Sequence, residues 1–423
     1  MTTVIDRPDQ QARPARPRLS AGVSFYLLAS IVVTLLASSS APTPLYPLYQ
    51  AEWGFSAITT TVVFGAYAIA VLVALLFVGA LSDHIGRRPV LVAALLAQAG
   101  TMWIFATATG VPQLLTARIV QGLVTGAAIA AVGAALLDLD RVRGTVANAV
   151  APMFGTGFGG LIGGLFAQFL PAPTRTVFIV LSVVFLAQVA GVLLMPETTP
   201  GQAGALASLR PEIGLPRAAR APMLVATPVL FAVWALGGLF LALGPALVRL
   251  TIHNGSSLLG GIVVLVMGIS AATTVFLARN ATPVRMMSSG IVALIAGVAV
   301  CLLAISLPSA VVFFASLVLA GIGFGATVQG AIRTVLPAAQ PHQRAGLLSL
   351  IYVVSYLGLG VPAGLAGVLV VYGGGLRTTA LQYGTAVIAL AAVALVALRR
   401  SVNQPTVSPA VSSVESASDA ITR

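Results

Sequence analysis

Twelve runs of mostly apolar residues fill nearly all of the chain. Each is about 18 to 25 residues long, enough to cross a hydrocarbon layer of roughly 30 Å as a helix. They cover approximately residues 22–40, 58–80, 90–108, 113–136, 146–170 and 177–195, then 224–247, 258–277, 290–307, 311–332, 347–371 and 379–398. A backbone in lipid cannot leave its amides unpaired, so runs of this length must be helices, whereas a barrel would show short alternating segments. The chain is therefore expected to be an all-α membrane protein with twelve transmembrane helices. With 58% hydrophobic residues and 8% charged ones, it has too little polar surface for a water-soluble fold.

The charges set the orientation. All 22 basic residues are arginines, against 10 acids, which gives a formal net charge of +12. Arg175, Arg249 and Arg377 fall on one side of the twelve runs and Arg118 falls inside one, which leaves eighteen of the 22 on the side that also holds both chain ends. Such an asymmetry places that side, with the N- and C-termini, in the cytoplasm. The positive charge is thus a topology signal and not a nucleic-acid footprint. Cys301, the single cysteine, excludes a disulfide framework and reads as a small buried hydrophobe.

A polar stretch over residues 196–221, with prolines, glycines and three arginines, divides the runs into two sets of six. The expected organisation is a disordered N-terminal tail (1–20), a six-helix bundle (21–195), a linker (196–221), a second six-helix bundle (222–400) and a disordered C-terminal tail (401–423). Residues 1–20 have no apolar core separate from the first run, so they do not read as a cleaved signal peptide. The two sets echo each other. The fifth run holds GTGFGGLIGG (155–164) and the eleventh GLGVPAG (358–364). The loop after the second run, LSDHIGRRPV, has a counterpart after the eighth, LARNATPVRM, with Arg279 where Asp83 would be. Pseudo-symmetric halves of this kind are a common build for transporters.

Three motifs carry the functional reading. Gly79, Asp83, Gly86, Arg87 and Arg88 crowd a very short loop between the second and third runs. This loop resembles the signature loop of the major facilitator superfamily, with His84 in place of a usual Arg or Lys. Gly79 would let a neighbouring helix approach, Gly86 would permit a tight turn, and Asp83 could accept hydrogen bonds from the positive end of another helix. The resemblance implies that Asp83 docks near residues 345–347 when the cytoplasmic side is closed. It also implies that Arg87 pairs with an acid at the end of the fourth helix, where Asp138 and Asp140 stand, to form a gating latch. In the fourth run, Arg118, Gln121, Gly122 and Gly126 are similar to a second motif of the superfamily. A mid-membrane arginine costs on the order of 2.5 to 3.5 kcal/mol, so Arg118 is expected to face an aqueous cavity with Gln121 as its neighbour. In the fifth run, Gly155, Gly159, Gly163 and Gly164 resemble the motif of the superfamily's antiporter branches, with Gly160 replacing its proline. Gly155, Gly159 and Gly163, spaced at i, i+4 and i+8, make a flat packing stripe.

Trp234, Gln329, Tyr352 and Tyr356 are further candidates for the cavity lining, while Tyr46, Tyr49 and Trp53 read as aromatic anchors at the outer interface. None of the ten acids sits near the centre of a run, and the histidines His84, His253 and His342 lie in or beside loops. No metal site, no cofactor site and no enzymatic activity is read. The resemblance implies a monomeric, multi-pass secondary transporter of the plasma (inner) membrane that binds a small-molecule substrate between its halves and works by alternating access. The helix-5 motif favours efflux of a drug-like or hydrophobic compound, with proton antiport as the family's implication. Uptake or facilitated diffusion of a metabolite anion attracted by Arg118 is the alternative within transport. A membrane sensor or scaffold that retains the fold is the alternative of another class.

Overall fold

The computed structural model describes residues 19–253 and 255–403. Twelve helical spans emerge: Ala21–Trp53, Ala57–Val78, Arg87–Ala106, Val111–Leu139, Arg141–Phe169, Pro173–Leu194, Arg217–Ile252, Ser257–Asn280, Pro283–Ser306, Ala310–Ala338, Pro341–Tyr372 and Gly375–Arg400. They are spans 1 to 12 below. No strand occurs among the described residues. Polar caps start several helices: the Ser20 hydroxyl accepts from Val23 N–H at 3.3 Å, Asp140 accepts from Val142 and Arg143 N–H, and Ser309 accepts from Val312 N–H at 3.4 Å. Along span 6, Ile179, Val183, Leu186 and Leu193 are all exposed, an apolar outer surface suited to lipid and not to water.

Three boundaries differ from the sequence expectation. Span 1 does not stop near residue 40, because a 3-10 turn at Thr43–Leu45 leads into a further helix, Tyr46–Trp53. Pro44 and Pro47 stand in the first turns of these two segments, where a missing N–H costs no helical hydrogen bond, so the prolines redirect the chain without ending it. Span 7 begins at Arg217, inside the stretch read as linker. The helix of span 12 runs to Asn403, and Leu19 is tied to the end of span 6 through its N–H to Leu194 C=O at 3.0 Å. Leu19, Ser20 and residues 401–403 are therefore structured, while the rest of both expected tails lies outside the described residues.

Two apolar cores form. One gathers Leu28, Leu91, Ala128 and Phe178 from the first six spans, where Phe105 stacks on Phe178 at 4.7 Å between centroids. The other gathers Leu230, Leu294, Phe313 and Ala391 from the last six, with Phe64 and Ala68 of span 2 packed into it. The loops that carry most arginines lie on one face of the molecule, called here the basic face; the opposite one is the far face.

Glycine sets how the two bundles meet. Span 5 uses its glycines on two sides. Gly155, Gly159 and Gly163 lie against the backbone of Val33, Ala37 and Ala41 in span 1, within the same bundle, and Ser40 donates to Thr156 C=O at 2.7 Å there. Gly157, Gly160 and Gly164 lie against Leu265, Gly261 and Ser257 of span 8, in the other bundle. A Cβ at Gly160 would come within 2.5 Å of the Val264 Cβ, so neither proline nor any larger residue fits where the resembling motif has proline. A proline does stand inside this helix two turns earlier, at Pro152, and the helix runs on through it. Span 2 meets span 11 in a similar way, with Gly65 beside Gly360 and Thr61 against Gly367. Thr43 Oγ1 donates to Leu241 C=O at 3.0 Å, and Ser256 Oγ bonds Gln168 Oε1 at 3.1 Å. All of these bundle-to-bundle contacts lie between the middle of the spans and the far face. Gly160→Val is expected to destabilise the protein by about 1 to 3 kcal/mol through overpacking at spans 5 and 8. Gly364→Ala, whose added carbon meets nothing within 4 Å, is expected to be neutral. Thermal unfolding of both purified variants checks the pair.

Candidate functional site: a basic-face latch and a buried guanidinium

After span 2 the chain makes one short helix, Leu81–Ile85, turns at Gly86 with φ 99°, and enters span 3 at Arg87. That φ is open to glycine and strained for any other residue, so the tight turn expected of Gly86 is present. Gly79 behaves otherwise. The nearest atom of a neighbouring helix to a Cβ there would be the Ala130 Cβ at 3.9 Å, an ordinary contact, and the crowding comes from Leu75 C=O on its own chain at 2.5 Å. Gly79 thus serves the end of its own helix and not the approach of another.

Arg87 is 6% exposed and holds the loop together. Its guanidinium pairs with Asp83 one turn back, donates to Ser82 Oγ at 2.7 Å, and donates through Nε to Asp138 Oδ2 at 3.2 Å. Of the two acids at the end of span 4, only Asp138 meets Arg87; Asp140 instead caps span 5, because its backbone is extended and its carboxylate points at the first free amides. Arg88 reaches the Leu193 carbonyl at the end of span 6. Sequence reasoning missed Glu197. Its carboxylate accepts from Arg87 N–H at 2.9 Å and Arg88 N–H at 3.0 Å, which supplies the N-terminal cap that Gly86 lacks a side chain to give. The available signal was an acid placed directly after span 6, beside the basic loop.

Asp83 pairs with Arg87, and no hydrogen bond or ion pair joins it to residues 345–347 among the described residues. The connection between the bundles meets Gly346 instead, where Gly214 N–H donates to its C=O at 3.2 Å, and it also meets the short loop after span 2, where Gln202 N–H donates to His84 C=O at 2.8 Å. Both ion pairs found among the described residues, Arg87 with Asp83 and Arg87 with Asp138, lie within the first bundle. On the basic face, therefore, no ion pair between described residues joins the bundles.

Arg118 also departs from expectation. Instead of lining an open aqueous cavity it is 0% exposed, inside the first bundle. The cause is local: Gly122 and Gly126, one and two turns further on the same face, bring span 4 against the backbone of Tyr67 and Val71 in span 2, which carries Arg118 in with them. Its guanidinium donates to Tyr46 Oη through Nε at 3.2 Å and Nη2 at 2.7 Å, and through Nη1 to Ser39 C=O and Gln121 Oε1, both at 2.8 Å. The rings of Tyr46, Tyr67 and Phe105 stand 5.7, 5.5 and 5.7 Å from the guanidinium carbon. Gln121 in turn donates to Ser38 C=O at 3.0 Å, and Tyr67 donates to Ser39 Oγ at 2.8 Å. Arg118 and Gln121 thus come together as the sequence suggested. Tyr46, expected at the outer interface, is 2% exposed, because the helix resumes at Thr43 and carries it inward. Among the described residues no carboxylate pairs with Arg118, and its charge is held by dipoles and aromatic faces.

In the second bundle, Trp234 of span 7 stacks on Tyr356 of span 11 at 5.8 Å and meets Phe324 of span 10 edge-on at 5.3 Å. The Trp234 indole N–H is buried without a hydrogen-bond partner. Tyr352 lies one turn before Tyr356 and is 36% exposed. Gln329, also on span 10, lies outside this cluster. Phe324 was not anticipated, since one phenylalanine among 17 carries no positional signal.

The fold and these residues can be set beside known proteins. The model of the Major Facilitator Superfamily matches residues 27–280, more than half of the 423. The nucleoside transporter NupG is similar in structure, with a TM-score of 0.69 at 14% identity over 89% of this chain and 100% of that one. The human organic anion transporter MFSD10 gives 0.65 at 18% identity, over 89% and 99%. A bacterial homolog of the human lysosomal transporter Spinster, inward-facing and unoccupied, gives 0.70 at 15% identity, over 90% and 97%. With the fold, the twelve spans and the family match in agreement, this chain belongs to the major facilitator superfamily, a family of transporters and not of enzymes.

Proposed function

We propose that the protein is an exporter of small, hydrophobic or drug-like compounds, working as a monomer in the plasma membrane with its basic face in the cytoplasm. The observation that carries this reading is the aromatic cluster of Trp234, Phe324 and Tyr356, which joins three spans of the second bundle around an indole N–H with no partner. A flat apolar solute can stack there and accept one hydrogen bond, the usual chemistry of a site with an apolar body and few polar groups. The glycine contacts between the bundles lie from mid-span to the far face, which supports loading from the basic face, the side from which an exporter takes its cargo.

Rocking about spans 5 and 8 and spans 2 and 11 would then close the basic face. In that state Asp83, left half-exposed by its pairing with Arg87, reaches the start of span 11, now met by Gly214. Arg87 and Asp138 keep the loop rigid throughout. Arg118 holds span 1, through Tyr46 and Ser39, on span 4, so that the first bundle moves as one body. Proton antiport fits an exporter, with Asp83 and Glu52 as the acids nearest the two faces. A second reading, transport of an organic anion, is favoured by one observation: among the described residues the Arg118 charge has no carboxylate paired with it.

Flux into liposomes carrying the purified protein, with imposed pH gradients and a panel of cationic, neutral and anionic compounds, tests both readings. Export requires transport of hydrophobic cations or neutral compounds, and a response to the gradient if protons are coupled. Trp234→Ala is expected to raise the apparent KM for an exported aromatic compound by roughly tenfold, the loss of one stacked ring with its burial. Asp83→Asn is expected to lower turnover by roughly five- to tenfold with binding nearly unchanged, since it removes a part-exposed charge interaction from the closed state. Equal flux in wild type and both variants contradicts the assignments.

A further inference from the structure

Between the bundles at the far face lies a cavity of about 110 Å³, walled by both halves. Tyr46, Gln50 and Thr60 line it from the first bundle, and Leu243, Arg249 and Val370 from the second. Its one charged lining residue is Arg249, partly buried one turn from the end of span 7, and its guanidinium has no hydrogen-bond or ion-pair partner among the described residues. Among the described residues no carboxylate lines the cavity.

Beside the Gln50 amide, which carries an acceptor as well as donors, the polar lining consists of a guanidinium and two hydroxyls. Tyr46 Oη already accepts two N–H groups from Arg118, so its own hydrogen is left to donate, and Arg118 polarises that O–H. Thr60 Oγ1 accepts from Gln50 Nε2 at 3.0 Å, which leaves its hydroxyl hydrogen free as well. A guanidinium without a partner and two hydroxyl donors, beside the Gln50 amide and otherwise apolar walls, match the needs of one small oxyanion. Cations find no acceptor charge there. Burial in such walls strengthens a charge-assisted hydrogen bond relative to water.

We propose that this cavity is a binding site for a small singly charged oxyanion of carboxylate type, held by the Arg249 guanidinium and the Tyr46 and Thr60 hydroxyls. The site is separate from the aromatic cluster proposed for cargo. Because its walls come from both bundles, an anion there ties the far face shut. The anion also supplies, through Tyr46, the counter-charge that Arg118 lacks. Only this mechanical consequence rests on the transport reading; the binding does not.

A free carboxylate and the phosphate of an acidic lipid share this chemistry, and the size of the cavity favours the free anion. The test uses the full chain purified in uncharged detergent and titrated with propionate at constant ionic strength, with chloride, which is not an oxyanion, as balance. Calorimetry and the thermal unfolding midpoint are both read. Wild type is expected to bind propionate saturably and to gain stability with concentration. Arg249→Gln is expected to weaken binding roughly 10- to 100-fold, the loss of one charge-assisted partner, with Arg249→Lys intermediate. Tyr46→Phe, which keeps the ring, is expected to weaken it severalfold. Should Arg249→Gln prove misfolded, the lysine variant and the wild-type titration still decide. Absence of saturable binding in wild type, or equal binding in Arg249→Gln, overturns the proposal. A stability gain only in nanodiscs that contain phosphatidylglycerol, with none from propionate, also overturns it in favour of a lipid headgroup. None of these readouts requires flux, so a failure of the export reading leaves this result separate.

Discussion

Backbone-to-backbone contact along span 5 is the constraint on which the rest of the structure depends. One side of that helix presses Gly155, Gly159 and Gly163 on span 1, and the other presses Gly157, Gly160 and Gly164 on span 8. In lipid there is no hydrophobic gain from bringing two apolar helices together, so close packing and its dispersion energy must supply the attraction. Small residues on both sides of one helix let it belong to its own bundle and serve as a bearing for the other. The pair formed by spans 2 and 11 repeats the arrangement across the molecule, with Gly65, Gly360 and Gly367 in the equivalent roles. Two smooth seams of this kind permit a change of tilt without breaking a network of side-chain bonds. Among the described residues, two side-chain hydrogen bonds, from Thr43 and Ser256, cross between the bundles.

The polar groups follow the opposite logic and bind each bundle to itself. Arg118 is fully buried, and four hydrogen bonds and three aromatic faces hold it where a charge is costly. Those partners lie on spans 1, 2, 3 and 4, so the price of burying the guanidinium fastens four helices at one point. Arg87 does the same at the basic face, with Ser82, Asp83 and Asp138 around it and Glu197 capping its helix. Rigid bundles and slippery seams together are what a rocking transporter requires.

Much of this was legible in the sequence because it depends on run length and spacing. The twelve spans, the tight turn at Gly86 and the small-residue stripe of span 5 each follow from local pattern. What the sequence could not show depends on three-dimensional choice among similar groups. Asp138 and Asp140 both stand at the end of span 4, and only the extended backbone at Asp140 diverts it to capping. Arg118 looked like a cavity residue because its buried partners, Tyr46 and Ser39, come from a distant span and are neutral. Tyr46 itself was hidden by two prolines, which commonly end a helix but here occupy first-turn positions and let it resume. Glu197 sits about 110 residues from the amides it caps, beyond the reach of any local rule.

Distance measurements between spin labels in the reconstituted protein test the rocking account most directly. One pair joins exposed positions at the basic-face ends of spans 5 and 8, and a second joins their far-face ends. The account predicts two populations whose distances change in opposite senses, with the basic-face pair closing as the far-face pair opens when a transported compound is added. Distances at the two faces that stay constant, or that lengthen together, would contradict it.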